Sequence, residues 1–133
     1  MDTKIKLANV EVHLPPDELM VSPLRLLVSG LASRLGFSTD EIEDLKLSVG
    51  EVFLSVVDKC RNMQGQVTVR WNETPENLSI RITDPSHTFT KLHSEPILHI
   101  LEKVADEITV GDPDSDIRLR FNLEARRKHI YGD

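Results

Sequence analysis

Histidine and cysteine side chains, which can bind metal ions or act as nucleophiles, are few and scattered in this sequence. His87, His93 and His99 recur every six residues, a spacing that brings them together on neither a helix nor a strand. Cys60 is the only cysteine, which excludes an internal disulfide and a cysteine-cluster zinc site. Sequence identifies no histidine base beside it, so we expect an inert, partly buried thiol and no bound metal.

A cluster of four carboxylates is the other candidate for metal chemistry: Asp40, Glu41, Glu43 and Asp44. The cluster follows Ser38, and Ser38 and Glu41 have the spacing of a capping box, which predicts that a helix begins here. Carboxylates in a first helical turn stabilise the positive end of the helix dipole. We therefore interpret the cluster as a helix start rather than as a metal site.

Composition limits the class of protein further. The 133 residues fit one domain, predicted over residues 1–133 with a flexible tail at 125–133, and 39% hydrophobic with 29% charged residues is ordinary for a globular fold. The net charge of −6 argues against nucleic acid as the main partner, because phosphate binding needs a basic face. No apolar run approaches the roughly 20 residues of a membrane span, and the polar start resembles no signal peptide. We expect a cytoplasmic protein.

Two helices are predicted in the first half of the chain. Ser22 is the expected cap of the first helix, Pro23 suits its first turn, and Gly36 suits the position just past its end. The second helix begins at the Ser38 cap and runs to about Cys60. Apolar residues recur at helical spacing in both, namely Leu24, Leu27, Val28, Leu31 and Leu35 in the first, and Ile42, Leu45, Val49, Val52, Phe53 and Val56 in the second.

Alternating apolar residues predict strands in the rest of the chain. The expected elements are a first strand over 5–14 with a bulge at 8–9, a hairpin of 67–71 and 78–82 around a turn at 72–77, a loop at 85–93, a helix at 96–105 capped by Ser94, and strands at 108–110 and 117–123 around a turn at 111–114. The order β-α-α-β-β-α-β-β predicts an α+β fold, a two-layer sandwich of a mostly antiparallel sheet with helices on one face. The residues expected to meet inside are Val67, Val69, Ile80, Ile82, Leu119 and Phe121 from the sheet, and Val49, Val52 and Val56 from the second helix.

Two segments in the helical half resemble a known family. The sequence RLLVSGLASRLGF at 25–37 and DEIEDLKLSVGE at 40–51 are similar to the bacterial anti-sigma factor serine kinases of the general-stress and sporulation partner-switching systems. DEITV at 106–110 matches again near the end of the chain. The element order also matches the fold of that family, the histidine-kinase-like ATPase sandwich known as the Bergerat or GHKL fold.

The resemblance implies an Mg-ATP site, whose first motif lies on the second helix. In the family a Glu on this helix acts as general base, and an Asn four residues later holds the magnesium ion. Glu51 occupies the first position and Ser55 the second, with Lys59 one turn beyond. These three positions share one helix face. The Ser55 hydroxyl has a shorter stem than the family amide and cannot reach a metal placed for it.

The other two nucleotide motifs also depart from the family pattern. The Asp-x-Gly that grips adenine reads Asp84-Pro85-Ser86, so the carboxylate is present but the glycine is not. The glycine-rich phosphate turn reads SEPI at 94–97, with no glycine, with a proline and with the negative charge of Glu95. Three altered motifs predict a lost or weakened ATP site, and therefore no bound cofactor.

Three residues remain as candidates for function, each with a plainer alternative. Glu51 is either the catalytic base or a helix carboxylate facing a polar cleft. Asp84 either binds adenine or is an ordinary turn residue. Arg25 aligns with a family Arg that contacts both the sigma factor and its antagonist, and the alternative is a solvated arginine on an amphipathic helix; the apolar pattern predicts that it points outward.

Two functions follow from the resemblance. The first is an anti-sigma-factor-like regulator that sequesters a sigma factor or a STAS-domain antagonist, with Arg25 in the interface and without nucleotide. The second is an active ATP-dependent serine-protein kinase that phosphorylates a STAS-type antagonist, with Mg-ATP as cofactor. Both imply a homodimer, because family members pair as dimers, and neither needs nucleic acid or a membrane.

Overall fold

The protein is a two-layer α+β sandwich, which confirms the predicted fold. The computed structural model describes residues 6–60, 64–83, 95–110 and 116–124. Its elements are β1 (Asn9–Leu14), a 3-10 turn (Glu18–Met20), α1 (Val21–Ser33), α2 (Thr39–Cys60), β2 (Val67–Glu73), β3 (Asn77–Thr83), α3 (Glu95–Val104), β4 (Glu107–Val110) and β5 (Asp116–Asn122). The predicted loop at 85–93, the Ser94 cap, the turn at 111–114 and the tail at 125–133 lie outside the described residues.

The five strands form one open sheet in which every neighbouring pair is antiparallel. Their order across the sheet is β1-β2-β3-β5-β4. In the middle of the sheet Val69 lies opposite Ile82, and Ile80 lies opposite Leu119. Because side chains alternate between the two faces of a strand, this register directs one apolar set toward the helices.

The core lies between that apolar face and the helices. The nine residues predicted to meet inside are all buried, which confirms this part of the sequence analysis. Phe37, just before α2, contacts Phe121 of β5 edge to face, with ring centroids 5.8 Å apart. The helix that contributes most buried side chains is α2, so its position on the sheet determines where its remaining, less buried side chains lie.

The predicted start of α2 is confirmed in atomic detail. The Ser38 backbone N–H donates to Glu41 Oε1 at 2.8 Å, and the Glu41 backbone N–H donates to Ser38 Oγ at 3.1 Å. These reciprocal bonds are a capping box, which satisfies two backbone donors that the helix itself leaves free. Gly36 precedes this cap with a φ of 84°, a left-handed conformation that glycine adopts without steric cost.

The start of α1 differs from the prediction. The helix begins at Val21, so Ser22 lies in its first turn and is not its cap. Asp17 Oδ1 instead accepts a hydrogen bond from the Leu19 backbone N–H at 2.9 Å and begins a 3-10 turn that runs directly into α1. The helix therefore needs no serine cap of its own, because the preceding turn already directs the chain into it.

The ends of two strands also differ from the prediction. β1 begins at Asn9 and pairs residue for residue with β2, so the predicted bulge at 8–9 is not part of the strand, and Leu7 is exposed. β2 extends to Glu73, two residues beyond the last predicted strand residue and into the turn predicted to begin at 72. The turn closes between Thr74 and Asn77, whose backbone N–H and carbonyl bond at 2.8 Å. This extension directs Glu73 inward.

Glu73 is a buried carboxylate that joins three parts of the fold. Its side chain has no solvent exposure, and it accepts hydrogen bonds from Arg34 Nη1 at 2.9 Å and Trp71 Nε1 at 2.7 Å. The Ala8 backbone N–H donates to its other oxygen at 2.8 Å. Arg34 also donates to the Lys6 carbonyl at 2.7 Å. The end of α1, the segment before β1 and the end of β2 therefore meet at one charge.

We expect Glu73→Gln to lower the free energy of unfolding by about 2 kcal/mol, because it removes a buried charge that accepts hydrogen bonds from an arginine and an indole. Denaturant unfolding measures the change. Glu43→Gln is the matched control, since that carboxylate is 65% exposed in its pair with Lys46 and its loss should cost little. Equal effects of the two substitutions would contradict the role assigned to Glu73.

The same carboxylate predicts a pH dependence. Burial raises the pKa of Glu73, but the hydrogen bonds from Arg34, Trp71 and Ala8 outweigh burial and hold that pKa below its ordinary value of 4.5. The unfolded chain then binds the proton more readily, so stability from this group is complete above 4.5 and is lost as the pH falls through the lowered pKa. The stability difference between the native chain and Glu73→Gln should therefore shrink along an unfolding series below pH 4.5. A constant difference would contradict this.

Candidate functional site

The residues that the resemblance assigns to the first family motif lie in α2. Glu51 and Ser55 are half-buried, one helical turn apart, and Lys59 is exposed one turn further along. Gly50 and Val52, on either side of Glu51, are both buried. Glu51 therefore lies at the border of the buried face of α2, close enough to the surface for contact with a bound molecule. Ser55, the position that the resemblance assigns to the metal-binding amide, is half-buried on the same face of α2.

The second and third motifs fall mostly outside the described residues. β3 ends at Thr83, so Asp84 is the next residue along the chain and lies outside the description. α3 begins at Glu95, which places the end of the predicted phosphate turn in the first turn of that helix. Within the part of the chain that the structure describes, no group of three or more His, Cys, Asp or Glu side chains could hold a metal ion.

Arg25 lies against α2 instead of pointing outward, so the predicted orientation was wrong. α1 and α2 pack side by side, and the half-buried Arg25 side chain crosses to the backbone of Gly50. A Cβ atom built at Gly50 would lie 2.7 Å from Arg25 Nη2 and 2.9 Å from Cζ, and closer still to Nε. The structure thus brings Arg25 next to Gly50, the residue before Glu51, which the sequence pattern did not indicate.

Among the described residues the Arg25 guanidinium also lacks a hydrogen-bond or ion-pair partner. Its Nε is buried and has no hydrogen-bond partner, and no ion pair to this side chain exists among the described residues. A buried donor without an acceptor is unfavourable, and such groups in native proteins call for an explanation. The terminal nitrogens remain as donors for an acceptor from outside the chain.

The surface of α1 next to Arg25 is apolar. Leu26 is 70% exposed, and Leu19, one helical repeat earlier in the 3-10 turn, is 74% exposed. Ser22 and Gly30, which lie one turn to either side of Leu26, are also exposed and carry no charge. Leu26 falls outside the helical pattern of buried residues, and that departure is the signal by which the sequence could have identified it. Large exposed leucines beside an unpaired arginine are typical of a protein-binding surface.

No helix in the described residues is both long enough and apolar enough to cross a membrane.

The remaining exposed charges on the sheet are largely paired with one another. Arg70 Nε donates to Glu11 at 2.8 Å, and Arg120 Nε donates to Glu107 at 2.9 Å. The Arg25 guanidinium, which has no partner in the described part of the chain, therefore differs in its surroundings from these two sheet arginines.

Comparison with known proteins identifies the family. The model of the histidine kinase-like ATPase domain matches residues 14–121. Serine-protein kinase RsbW from Bacillus velezensis is 30% identical over 76% of each chain. The protein of the same name from Bacillus licheniformis is 31% identical over 91% of this chain and 88% of its own, and that from Listeria innocua is 35% identical over 61% and 53%. The chain therefore belongs to the histidine kinase-like ATPase domain family and has proteins named serine-protein kinase RsbW among its relatives.

Proposed function

We propose that this protein is an anti-sigma-factor-like regulator of a partner-switching system and that it acts by sequestering a protein partner. The observation that carries the proposal is the Arg25 guanidinium, which has no protein partner among the described residues and lies beside the exposed Leu26. Arginine is enriched among the residues that dominate binding energy at protein interfaces, and exposed apolar surface marks sites of interaction. The relatives named serine-protein kinase RsbW support the regulatory setting.

The partner we propose is a sigma factor or a STAS-domain antagonist. Arginine presents donors in a planar fork that matches a carboxylate, so the contact at Arg25 calls for an acidic residue on the partner. Leu26 and Leu19 call for an apolar patch next to that residue. We further propose that the protein is a homodimer, as the family resemblance implies.

The alternative function is an active serine-protein kinase. The half-buried position of Glu51 on α2 favours it, because a general base must reach a bound substrate. The sequence of the nucleotide motifs argues against it, since Ser55 replaces the metal-binding amide and Pro96 replaces a phosphate-binding glycine. We therefore propose that ATP binding is lost or strongly weakened.

We expect Mg-ATP and Mg-ADP to leave the melting temperature of the protein unchanged, because a ligand stabilises a fold only when it binds the native state. Calorimetric titration with Mg-ATP is the second measurement. A dissociation constant below the millimolar range would contradict the loss of the site and favour the kinase.

We expect Arg25→Glu to weaken binding of the partner co-purified from the native cell by about 2 kcal/mol, roughly 30-fold, the scale of an interfacial arginine. Glu51→Ala should leave that affinity nearly unchanged, because sequestration has no catalytic step. Arg118→Glu is the matched control, because it reverses the same charge on the exposed face of β5, away from α1. It should leave the affinity unchanged. If Glu51→Ala abolishes regulation while Arg25→Glu does not, the sequestration hypothesis is wrong and the serine-protein kinase hypothesis is favoured.

A further inference from the structure

Two glycines lie inside helices near Arg25, one in α1 with Arg25 itself and one in α2, and their surroundings differ. Gly30 is exposed on α1, and a Cβ atom added there would meet nothing within 4 Å. Gly50 is buried on α2, and a Cβ atom added there would overlap the Arg25 guanidinium. Glycine in a helix interior is unfavourable relative to alanine, so a glycine there often has a packing reason. At Gly50 the reason is Arg25.

We propose that Gly50 is a positioning residue that holds the Arg25 guanidinium in one orientation for the carboxylate of an acidic protein partner. The proposal deepens the proposed function, and it rests on Arg25 being part of the partner interface. Gly50 itself need not touch the partner. Its contribution is the absence of a Cβ atom, which leaves room for the guanidinium against the backbone of α2.

The contact with Gly50 buries the Nε side of the guanidinium and leaves the terminal nitrogens as donors for a partner. Nε is buried against α2 and has no acceptor there, so the contact fixes the plane by packing and not by hydrogen bonding. An incoming carboxylate then meets the terminal nitrogens in a defined direction. Holding a long side chain in its bound orientation before association reduces the entropy lost on binding, and this is the advantage that Gly50 provides.

Gly50→Ala should remove this arrangement without unfolding the helix. The atoms in its way belong to the far end of a flexible side chain, so Arg25 can swing aside at low cost. Alanine is also the better helix former. Arg25 would keep its charge but lose its fixed orientation. We expect partner affinity to fall about three- to ten-fold, the range for ordering one long side chain.

The first measurement is independent of any partner. Nuclear magnetic resonance of the free protein reports the exchange of the Arg25 Nε–H proton with water. The proton should be protected in the native chain and in Gly30→Ala, and should exchange rapidly in Gly50→Ala. Equal protection in Gly50→Ala and the native chain would overturn the positioning proposal whatever the partner is.

The second measurement is a double-mutant cycle on affinity for the co-purified partner, with the native chain, Gly50→Ala, Arg25→Ala and the double variant. If Gly50 acts through Arg25, its substitution weakens binding in the native background and has no effect in the Arg25→Ala background. An equal effect in both backgrounds, or tighter binding of Gly50→Ala, would overturn the proposal. Arg118→Ala, on the exposed face of β5 and away from α1, is the control and should bind as the native chain does.

A third variant avoids any change in α2. Arg25→Lys keeps the charge but has no guanidinium plane to lie on Gly50, so it should bind as weakly as Gly50→Ala and should be insensitive to Gly50→Ala. Native affinity in Arg25→Lys would overturn the positioning role. Native affinity in Arg25→Ala would instead overturn the proposed interface. This failure is distinguishable from a failure of the positioning proposal, because the exchange measurement reports whether Gly50 holds Arg25 in the free protein.

Discussion

The buried carboxylate of Glu73 is the interaction on which the geometry of this fold depends. A charge without solvent exposure is tolerated only when donors surround it, and here Arg34, Trp71 and the Ala8 backbone supply them. Each donor comes from a different part of the chain. Satisfying one charge therefore fixes the end of α1 against the segment before β1 and the last residue of β2. Because α1 is held at Arg34, its orientation toward α2 is also constrained.

That orientation determines what the surface can do. α1 lies along α2 so that Arg25 crosses to Gly50, while Leu26 on the next position faces away from the core. The candidate interface is thus built from the seam of two packed helices and not from a loop, and it inherits the rigidity of the core beneath it. Helices held by a buried core present side chains more reproducibly than loops do, which suits a function based on surface recognition.

Both candidate functions make use of α2. Gly50 lies against Arg25 of α1, which belongs to the proposed partner surface, whereas Glu51 and Ser55 are the positions that the family resemblance assigns to the first nucleotide motif. Adjacent positions on a helix point in directions about 100° apart, so one helix can serve a binding surface and a catalytic motif at once. A chain in which the motif changes while the seam persists would retain recognition after losing chemistry. Membership of the histidine kinase-like ATPase family is compatible with either outcome.

The sequence by itself determined the elements, their order and the buried faces of α2 and the central strands, because period-two and helical apolar patterns and the Ser38–Glu41 capping box act over a few residues. It did not determine that Glu73 lies inside, since Ala8 and Arg34 are 65 and 39 residues away in the chain. It also placed Arg25 outward. A helical pattern assigns a residue to a face of its own helix, but it does not show that a glycine of the neighbouring helix leaves room for that residue. The tertiary structure decided these points, since packing brings distant residues into contact and a long polar side chain follows the space and the charges it meets.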